Sequence, residues 1–186
     1  MKMLDDITAL LERLARMLLT DGHSGGLKPA QWEALRYLAR ANRFSRTPGA
    51  LASYLGSTKG TVSQTLMALE RGGLVVKGTN PGDGRSVRVD LTPEALDRLT
   101  DDPIELLDRA VVALPAAIRA ELDQGLRALI AKRLAQSGGK PFGICRSCRY
   151  FAANQNGGGR HHCRLLDEML SEEDAGLICH EQAPAA

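Results

Sequence analysis

The chain has 186 residues, of which 44% are hydrophobic and 25% are charged, and its formal net charge is +2. This length and composition favour a globular protein of one or two small domains and exclude a disordered chain. The apolar runs fall far short of the ~20 residues that a transmembrane helix needs. Because acidic residues interrupt the first apolar stretch, the N-terminus is typical of a helix rather than a signal peptide, and we expect a cytoplasmic protein.

The charge is unevenly distributed along the chain. Residues 28–92 contain ten Lys and Arg against four Asp and Glu, a net charge of +6, which leaves −4 for the remainder. A basic segment of this size is typical of a module that binds a polyanion such as nucleic acid. An ordinary solvated face could carry the same charge, so the motifs within the segment have to distinguish it from a module that binds a polyanion.

The first two predicted helices are amphipathic. Apolar residues recur at steps of three and four over 4–18, which predicts a helix with a broad apolar face. A turn-rich stretch at 21–26 ends this helix. The next helix follows Pro29, and its inward-facing residues include Trp32 and Leu38.

A helix-turn-helix pattern comes next. A short helix begins at Thr47, a cap residue followed by proline, and Gly56 ends it. A longer helix over 58–73 follows, with Ser57 as its expected cap. Its outer face carries hydroxyl and amide side chains, which suit base edges and phosphates in the major groove. The residues predicted to contact DNA from this helix are Ser57, Thr58, Lys59, Thr61, Ser63 and Gln64.

Two short strands over 74–79 and 87–92 surround a loop rich in Pro, Gly and Asp, which predicts a β-hairpin. A hairpin directly after the recognition helix is a wing, and Arg85 at its tip is predicted to reach the minor groove. Arg88 is the other wing residue predicted to contact DNA. A local ion pair between Asp83 and Arg85 that stiffens the loop is the alternative, and both can hold.

The remaining helices predict a dimer. A helix starts at Thr92-Pro93, and apolar positions continue from Ile104 to Leu134, with Pro115 separating two further helices. These stripes are longer than one small winged domain can cover. We therefore expect the first and last helices to pack against their copies in a two-fold homodimer, with packing inside one chain as the alternative.

The order of these elements resembles the MarR family of bacterial winged-helix regulators. The matching phrases are LKPAQWEALRYLA, LASYLGSTKGTVSQTLMALERGGLV and NPGDGRSVRVDLTPEAL, and the similarity covers about residues 4–135. The resemblance implies an obligate dimer on double-stranded DNA with a pseudo-palindromic operator, usually repressing, and released by a small-molecule effector or by cysteine oxidation. Because this part of the chain contains no cysteine, oxidation of a thiol there is excluded, and we expect any sensing to occur in the tail.

The cysteines Cys145, Cys148, Cys163 and Cys179 all lie in the last 42 residues, with the spacing C-x2-C-x14-C-x15-C. We expect residues 1–136 to form the winged-helix and dimerisation domain, and 137–186 to form a linker and a four-cysteine metal-binding module. This module has too few apolar residues for a core of its own. Four thiolates can hold either a tetrahedral zinc or a four-iron cluster.

The spacing favours one metal centre over the other. Zinc ribbons pair two C-x2-C knuckles, whereas this segment has one. Over about 35 residues the arrangement resembles the cluster-binding segment of high-potential iron-sulfur proteins, with a different final gap. We therefore favour an iron-sulfur cluster of the 4Fe-4S type, with zinc as the alternative and unmetallated thiols third. His161, His162 and His180 are expected to be surface or supporting residues rather than ligands.

The sequence thus predicts a mainly α-helical fold with a small β-hairpin wing, a helical dimerisation region and a small metal-bound tail. The predicted function is sequence-specific DNA binding in transcription regulation, modulated by the cysteine centre. A winged-helix protein–protein adaptor with a structural zinc module is the alternative. An enzyme is not expected, because the body offers no paired carboxylates, no Ser/His/Asp set and no phosphate-binding glycine loop.

Overall fold

The computed structural model describes residues 2–23, 26–80, 83–154 and 160–185, with the backbone alone at 2–5, 80 and 83–86. The helices are α1 (Lys2–Asp21), α2 (Pro29–Arg40), α3 (Pro48–Leu55), α4 (Lys59–Arg71), α5 (Pro93–Leu99), α6 (Glu105–Ala113), α7 (Ala116–Ser137) and α8 (Glu172–Gly176). The strands are β1 (Val75–Asn80), β2 (Asp83–Leu91), β3 (Gly143–Ile144), β4 (Phe151–Ala152), β5 (His161–Cys163), β6 (Glu168–Leu170) and β7 (Ile178–Cys179). The expected mainly helical fold with a hairpin wing is confirmed. Within the described ranges, no helix is long and apolar enough to cross a membrane.

The core of the body lies where α2 meets α3, α4 and the β1–β2 hairpin. The apolar faces of α2 and α4 are both buried there. Because these side chains are removed from water, each contributes roughly 1.5–3 kcal/mol to folding. The side chains at the centre of this core, each at most 2% exposed, are Trp32, Leu35, Leu51, Leu66 and Val89.

The start of α4 differs from the sequence prediction by one residue. Ser57 was expected to cap this helix, and that prediction is wrong: Thr58 is the cap, and its hydroxyl accepts from the backbone N–H of Thr61 at 3.1 Å. Ser57 instead completes the end of α3, because its backbone N–H donates to Ala52 O at 3.0 Å. Gly56 makes this ending possible with φ of 59°, a conformation that glycine adopts at little cost.

The wing is an antiparallel hairpin with an irregular tip. The pairing runs regularly from Val75 opposite Leu91 to Thr79 opposite Val87, and it then shifts so that Asn80 lies opposite Asp83. The predicted loop from 80 to 86 is therefore wrong in extent. Residues 84–86 lie within β2 as a bulge, which accommodates extra residues without ending the strand.

Three helices present apolar side chains to solvent in the single protomer. No described residue of α6 or α7 is buried, and α1 exposes several large aliphatic side chains. Exposed aliphatic side chains on α1 and α7 include Ile7, Leu10, Met17, Leu129 and Ile130. Such faces on an otherwise well-packed protein are typical of an interface.

The tail contains more β-structure than its sequence predicts. Strands β3 and β7 pair with each other, and β4, β5 and β6 form a three-stranded antiparallel sheet. Within the segment 166–176, only the second half is helical. Ser171 and Asp174 exchange the hydrogen bonds of a capping box, so α8 starts at Glu172 and the residues before it pair with β5.

The tail is docked on the body rather than tethered to it. Ile178 is part of the body's core, and it forms a β-bridge with Ala41 at the end of α2. Phe142, in the expected linker, packs against Tyr37 and Tyr54 with ring centroids 6.3 and 5.2 Å away. Its backbone lies in the left-handed region, with φ of 46°, which is costly for a residue with a bulky side chain. These contacts join the tail to both α2 and α3.

Candidate DNA-binding surface and four-cysteine site

The outer face of α4 is polar and accessible. Of the residues predicted from this helix, Thr58, Lys59, Thr61, Ser63 and Gln64 are exposed, whereas Ser57 is half-buried. The hydroxyls of Thr58 and Thr61 lie 2.9 Å apart and bond to each other. The Thr58 side chain therefore stabilises the start of α4. The side chains of Lys59, Ser63 and Gln64 remain exposed on the outer face.

Of the two wing residues predicted to contact DNA, the structure describes the side chain of Arg88 but not that of Arg85. Arg88 is half-buried, and its Nε donates to Asp90 Oδ2 at 2.7 Å. Arg46 Nη1 approaches the other carboxylate oxygen of Asp90 at 3.4 Å, so two guanidinium groups share one carboxylate at the base of the wing. The side chains of Asp83 and Arg85 lie outside the described part of the chain, so their predicted ion pair and the reach of Arg85 stay predictions.

The four cysteines converge on one small pocket, of about 10 Å³. Cys145 and Cys179 are buried and the other two are half-buried, and none of the four forms a disulfide. A short 3-10 helix (Cys145–Ser147) begins at the first cysteine, and β5 and β7 end at the third and fourth. The other side chains lining the pocket are Tyr150, Phe151, Leu165, Leu170 and Glu181.

The four thiols share one pocket, but the described part of the chain shows no preformed site for a single ion. Among the described residues, no group of three or more His, Cys, Asp or Glu side chains is arranged to hold a metal ion. The four sulfurs therefore share a largely apolar pocket without being drawn together around one point. The structure brings the predicted tetrad together, and its metal stays a prediction.

Hydrogen bonds reach three of the four sulfurs. Asn42 Nδ2 donates to Cys145 Sγ at 3.2 Å, and the backbone N–H of Ala183 donates to Cys148 Sγ at 3.5 Å. A hydrogen bond from the Cys145 thiol lowers the pKa of Cys179, and the backbone N–H of Glu181 acts in the same direction. The same bond and burial raise the pKa of Cys145. One buried thiolate stabilised by donors is the state in which a soft metal is bound.

The histidines of the tail make their contacts outside the sulfur pocket. His161 Nε2 lies 2.7 Å from Glu172 Oε1, and its Nδ1 accepts from the backbone N–H of Asn154 at 3.3 Å. His162 contacts Asp167 at 3.1 Å, and the His180 ring lies 5.2 Å from that of Phe142. None of the three lines the sulfur pocket.

The loop between α2 and α3 (residues 41–47, called the α2–α3 loop below) carries site residues that the sequence did not reveal. Asn42 and Ser45 are 0% and 1% exposed, and both bond to the tail. Arg43 binds Asp174 through Nη1 at 2.7 Å, and its other nitrogen donates to the carbonyl of Met169. No spacing or motif marks these residues, because their partners lie more than 120 positions away for Arg43 and 103 away for Asn42.

A second cavity, of about 300 Å³, lies between α1, α2 and the start of α6. Its walls include Leu18 and Ile104, and Arg36 stands at its side. The Arg36 guanidinium makes two bonds to Asp102, at 2.6 and 2.7 Å, which join α2 to the segment before α6. This cavity has the size of a small-molecule site.

Comparison with known proteins finds similarity to one protein family within the body. Residues 25–86 match the family model described as MarR family. That segment contains α2, α3, α4 and most of the wing. The body has the MarR-type winged-helix fold. No curated protein matches the chain.

Solved structures of the same fold match most of the chain. A MarR transcriptional regulator from Methanosarcina mazei Go1 is 20% identical, with a TM-score of 0.58 over 73% of this chain and 99% of its own. S. aureus MepR in complex with DNA is 20% identical, with a TM-score of 0.57 over 67% and 96%. A probable transcriptional regulator from Pseudomonas aeruginosa is 26% identical, with a TM-score of 0.51 over 68% and 98%. Roughly a third of this chain thus lies outside each match.

Proposed function

We propose that the protein is a sequence-specific DNA-binding transcriptional regulator that acts as a homodimer. We favour a repressor over an activator, under the control of the four-cysteine centre. The observation that carries the proposal is the exposed polar face of α4, set beside a hairpin wing in the most basic segment of the chain. Short polar side chains on one helix suit base edges and phosphates in the major groove. The similarity to a MepR–DNA complex supports this reading through the shared fold.

The exposed apolar faces of α1, α6 and α7 support the dimer. Residues such as Leu10, Val112 and Ile130 are more than half exposed in one protomer. A second copy would cover them and would place two α4 helices for two half-sites of a pseudo-palindrome. Sedimentation of the purified protein checks this directly, and a monomer at micromolar concentration would contradict it.

We favour an iron-sulfur cluster of the 4Fe-4S type over zinc because of the ligand set, although the sulfurs would have to move apart to admit it, since the pocket of about 10 Å³ has room for roughly one water. Four thiol ligands on separate turns and strands surround the pocket, its walls are mostly apolar, and N–H donors point at the sulfurs. These are the features that tune cluster stability and potential. A cluster there supplies a centre that changes with oxidation. Cys145, Cys148, Cys163 and Cys179 would hold it.

The first experiment determines the metal and the DNA target together. Protein purified without oxygen is analysed for visible absorption, iron, sulfide and zinc, and is then used to select fragments of genomic DNA. We expect brown protein with about four irons per chain and a reproducible set of enriched fragments. Lys59→Ala should weaken binding to the enriched duplex, whereas Arg127→Ala, which removes a positive charge from exposed α7, should not.

Two outcomes favour the alternatives. Colourless protein with one zinc per chain would make the tail a structural module, and a small-molecule effector would then be sought in the cavity between α1 and α2. A selection that enriches no DNA would contradict the regulator and favour the protein–protein adaptor.

A further inference from the structure

Two buried polar residues of the body bond directly to the four-cysteine site. Asn42 Nδ2 donates to Cys145 Sγ at 3.2 Å, and Ser45 Oγ accepts from the backbone N–H of His180 at 2.8 Å, one residue after Cys179. We infer that Asn42 and Ser45 are positioning residues of this site and that they transmit its ligand state to the DNA-reading helices. The inference rests on the proposed function and names its route of regulation.

The bonds of Asn42 hold the α2–α3 loop to the tail at several points. Its backbone N–H donates to Ile178 O at 2.9 Å, and its Oδ1 accepts from the backbone N–H of Ser45 at 3.0 Å. The Ser45 carbonyl in turn accepts from the hydroxyl of buried Tyr37 at 2.8 Å. Buried polar groups are costly to leave unpaired, so the loop must follow any shift of Cys145 or Ile178.

The other end of the same loop is bonded to the DNA-reading elements. The Arg46 carbonyl accepts from the backbone N–H of Val89 in β2 at 2.8 Å, which joins the loop to the wing. Thr47 caps α3 by accepting from the backbone N–H of Ala50 at 3.2 Å. A displacement that starts at Asn42 therefore reaches the wing and the first helix of the helix-turn-helix within five residues.

A second contact leads from the tail to α3 without using the loop. The ring of Phe142 lies 5.2 Å from Tyr54 of α3 and 5.2 Å from His180, which follows Cys179. At the outer edge of the contact between the tail and the body, Arg43 Nη1 lies 2.7 Å from Asp174 Oδ2. The Arg43 guanidinium also lies 4.5 Å from the centre of the Phe44 ring. The tail and the helix-turn-helix thus share a continuous packed interface.

A bound metal centre would act on this interface through the sulfur positions. It would fix all four sulfurs at once, whereas free thiols are held by their own short strands and turns and by single hydrogen bonds such as that from Asn42 to Cys145. Because Cys145 is bonded to Asn42, the two ligand states favour different positions of the α2–α3 loop. The coupling is reciprocal, so DNA binding must also change the affinity of the site for its metal centre.

The test uses the full-length dimer with the Asn42→Asp variant. This change keeps the size of the side chain and its acceptor for Ser45, but it replaces the donor that faces Cys145 with an oxygen. The probe is a duplex enriched by genomic selection, and its affinity is measured after reconstitution with iron and sulfide, after loading with Zn²⁺ alone, and after chelation. Asn154→Asp, the same substitution at an exposed position of the tail, is the matched control.

We expect the loaded and stripped wild-type proteins to differ in affinity by on the order of tenfold. In Asn42→Asp this ratio, compared at matched metal content per chain, should fall to near one, and in Asn154→Asp it should stay at the wild-type value. An unchanged ratio in Asn42→Asp overturns the inference. Equal affinity of loaded and stripped wild-type protein overturns it too, but leaves the proposed DNA binding intact. A wild-type protein that selects no DNA overturns the proposed function itself.

Hydrogen exchange on the wild-type protein gives a second test that needs no variant. On removal of the metal centre, we expect the amides of Asn42, His180 and Val89 to lose protection together, because one network holds all three. Loss of protection confined to the tail, with Val89 unchanged, would overturn the inference even if the Asn42 variant failed to fold.

Discussion

The body and the tail are held together in different ways. The body buries a continuous set of aliphatic and aromatic side chains, with Trp32, Leu35 and Leu66 at most 1% exposed. The buried cluster of the tail consists of Leu170 and two cysteines, with only partly buried residues around it. Apolar burial accounts for the stability of the first, whereas the second lacks the buried area to fold by itself.

The tail therefore depends on two supports, its sulfur site and its packing against the body. Ile178 belongs to the body's core, and Asn42 belongs to the sulfur site. Each region thus contributes a buried residue to the other. Substitutions that act on one support at a time separate the two contributions.

The largest effect is expected from Cys179→Ser. Serine keeps the size of the side chain but removes a soft ligand, so a four-ligand site should lose its stoichiometric metal. Residues 143–185 should become susceptible to proteolysis while the body keeps its helical circular dichroism. Ser147→Ala, in the turn between two cysteines, is the control and should retain metal. Full metal content in Cys179→Ser would contradict the assignment of this ligand.

Leu66→Ala should have the next largest effect, on the body. Removing a fully buried leucine should lower the free energy of unfolding by about 2–5 kcal/mol, measured by urea denaturation. Met67→Ala is a control on the next residue of the same helix. Because Met67 is 42% exposed, its loss should stay within roughly 0.5 kcal/mol. Equal losses for both variants would show that the body is not held by this core.

Arg43→Gln should weaken the docking of the tail by a smaller amount. Its ion pair with Asp174 is half-exposed, so solvent screening limits the contribution to about 0.5–1 kcal/mol. Hydrogen exchange in α8 and β6 should rise modestly, while exchange in the core of the body stays unchanged. Arg127→Gln breaks an exposed ion pair within α7 and should leave tail exchange unaltered. A tail that undocks completely in Arg43→Gln would mean that the buried bonds of Asn42 contribute little.

The smallest effect is expected from Arg85→Ala, at the tip of the wing. Operator affinity should fall, and the slope of log affinity against log salt should decrease by about one phosphate equivalent or less. Lys140→Ala removes a charge that pairs with Glu181 in the tail, and it should change neither value. An unchanged affinity and slope in Arg85→Ala would show that the wing arginine does not contact DNA.

The sequence predicted those parts of the molecule whose causes are local. The amphipathic pattern located the core face of α2, and cap residues with proline located the starts of α3 and α5. The cysteine spacing named four residues that do converge on one pocket. Its errors were also local: the cap of α4 lay one residue further on, and residues 84–86 belong to β2 rather than to the predicted loop of the wing.

Only the tertiary structure decided how the two regions meet. The bond between Asn42 and Cys145 joins residues 103 positions apart, and no periodicity or motif in either segment implies the other. Ile178 likewise reads in the sequence as part of a small tail, yet it completes the core of the body. Local propensities determine where elements begin and end, whereas the burial of a shared surface determines which of them pack together. That surface exists only once both regions have folded.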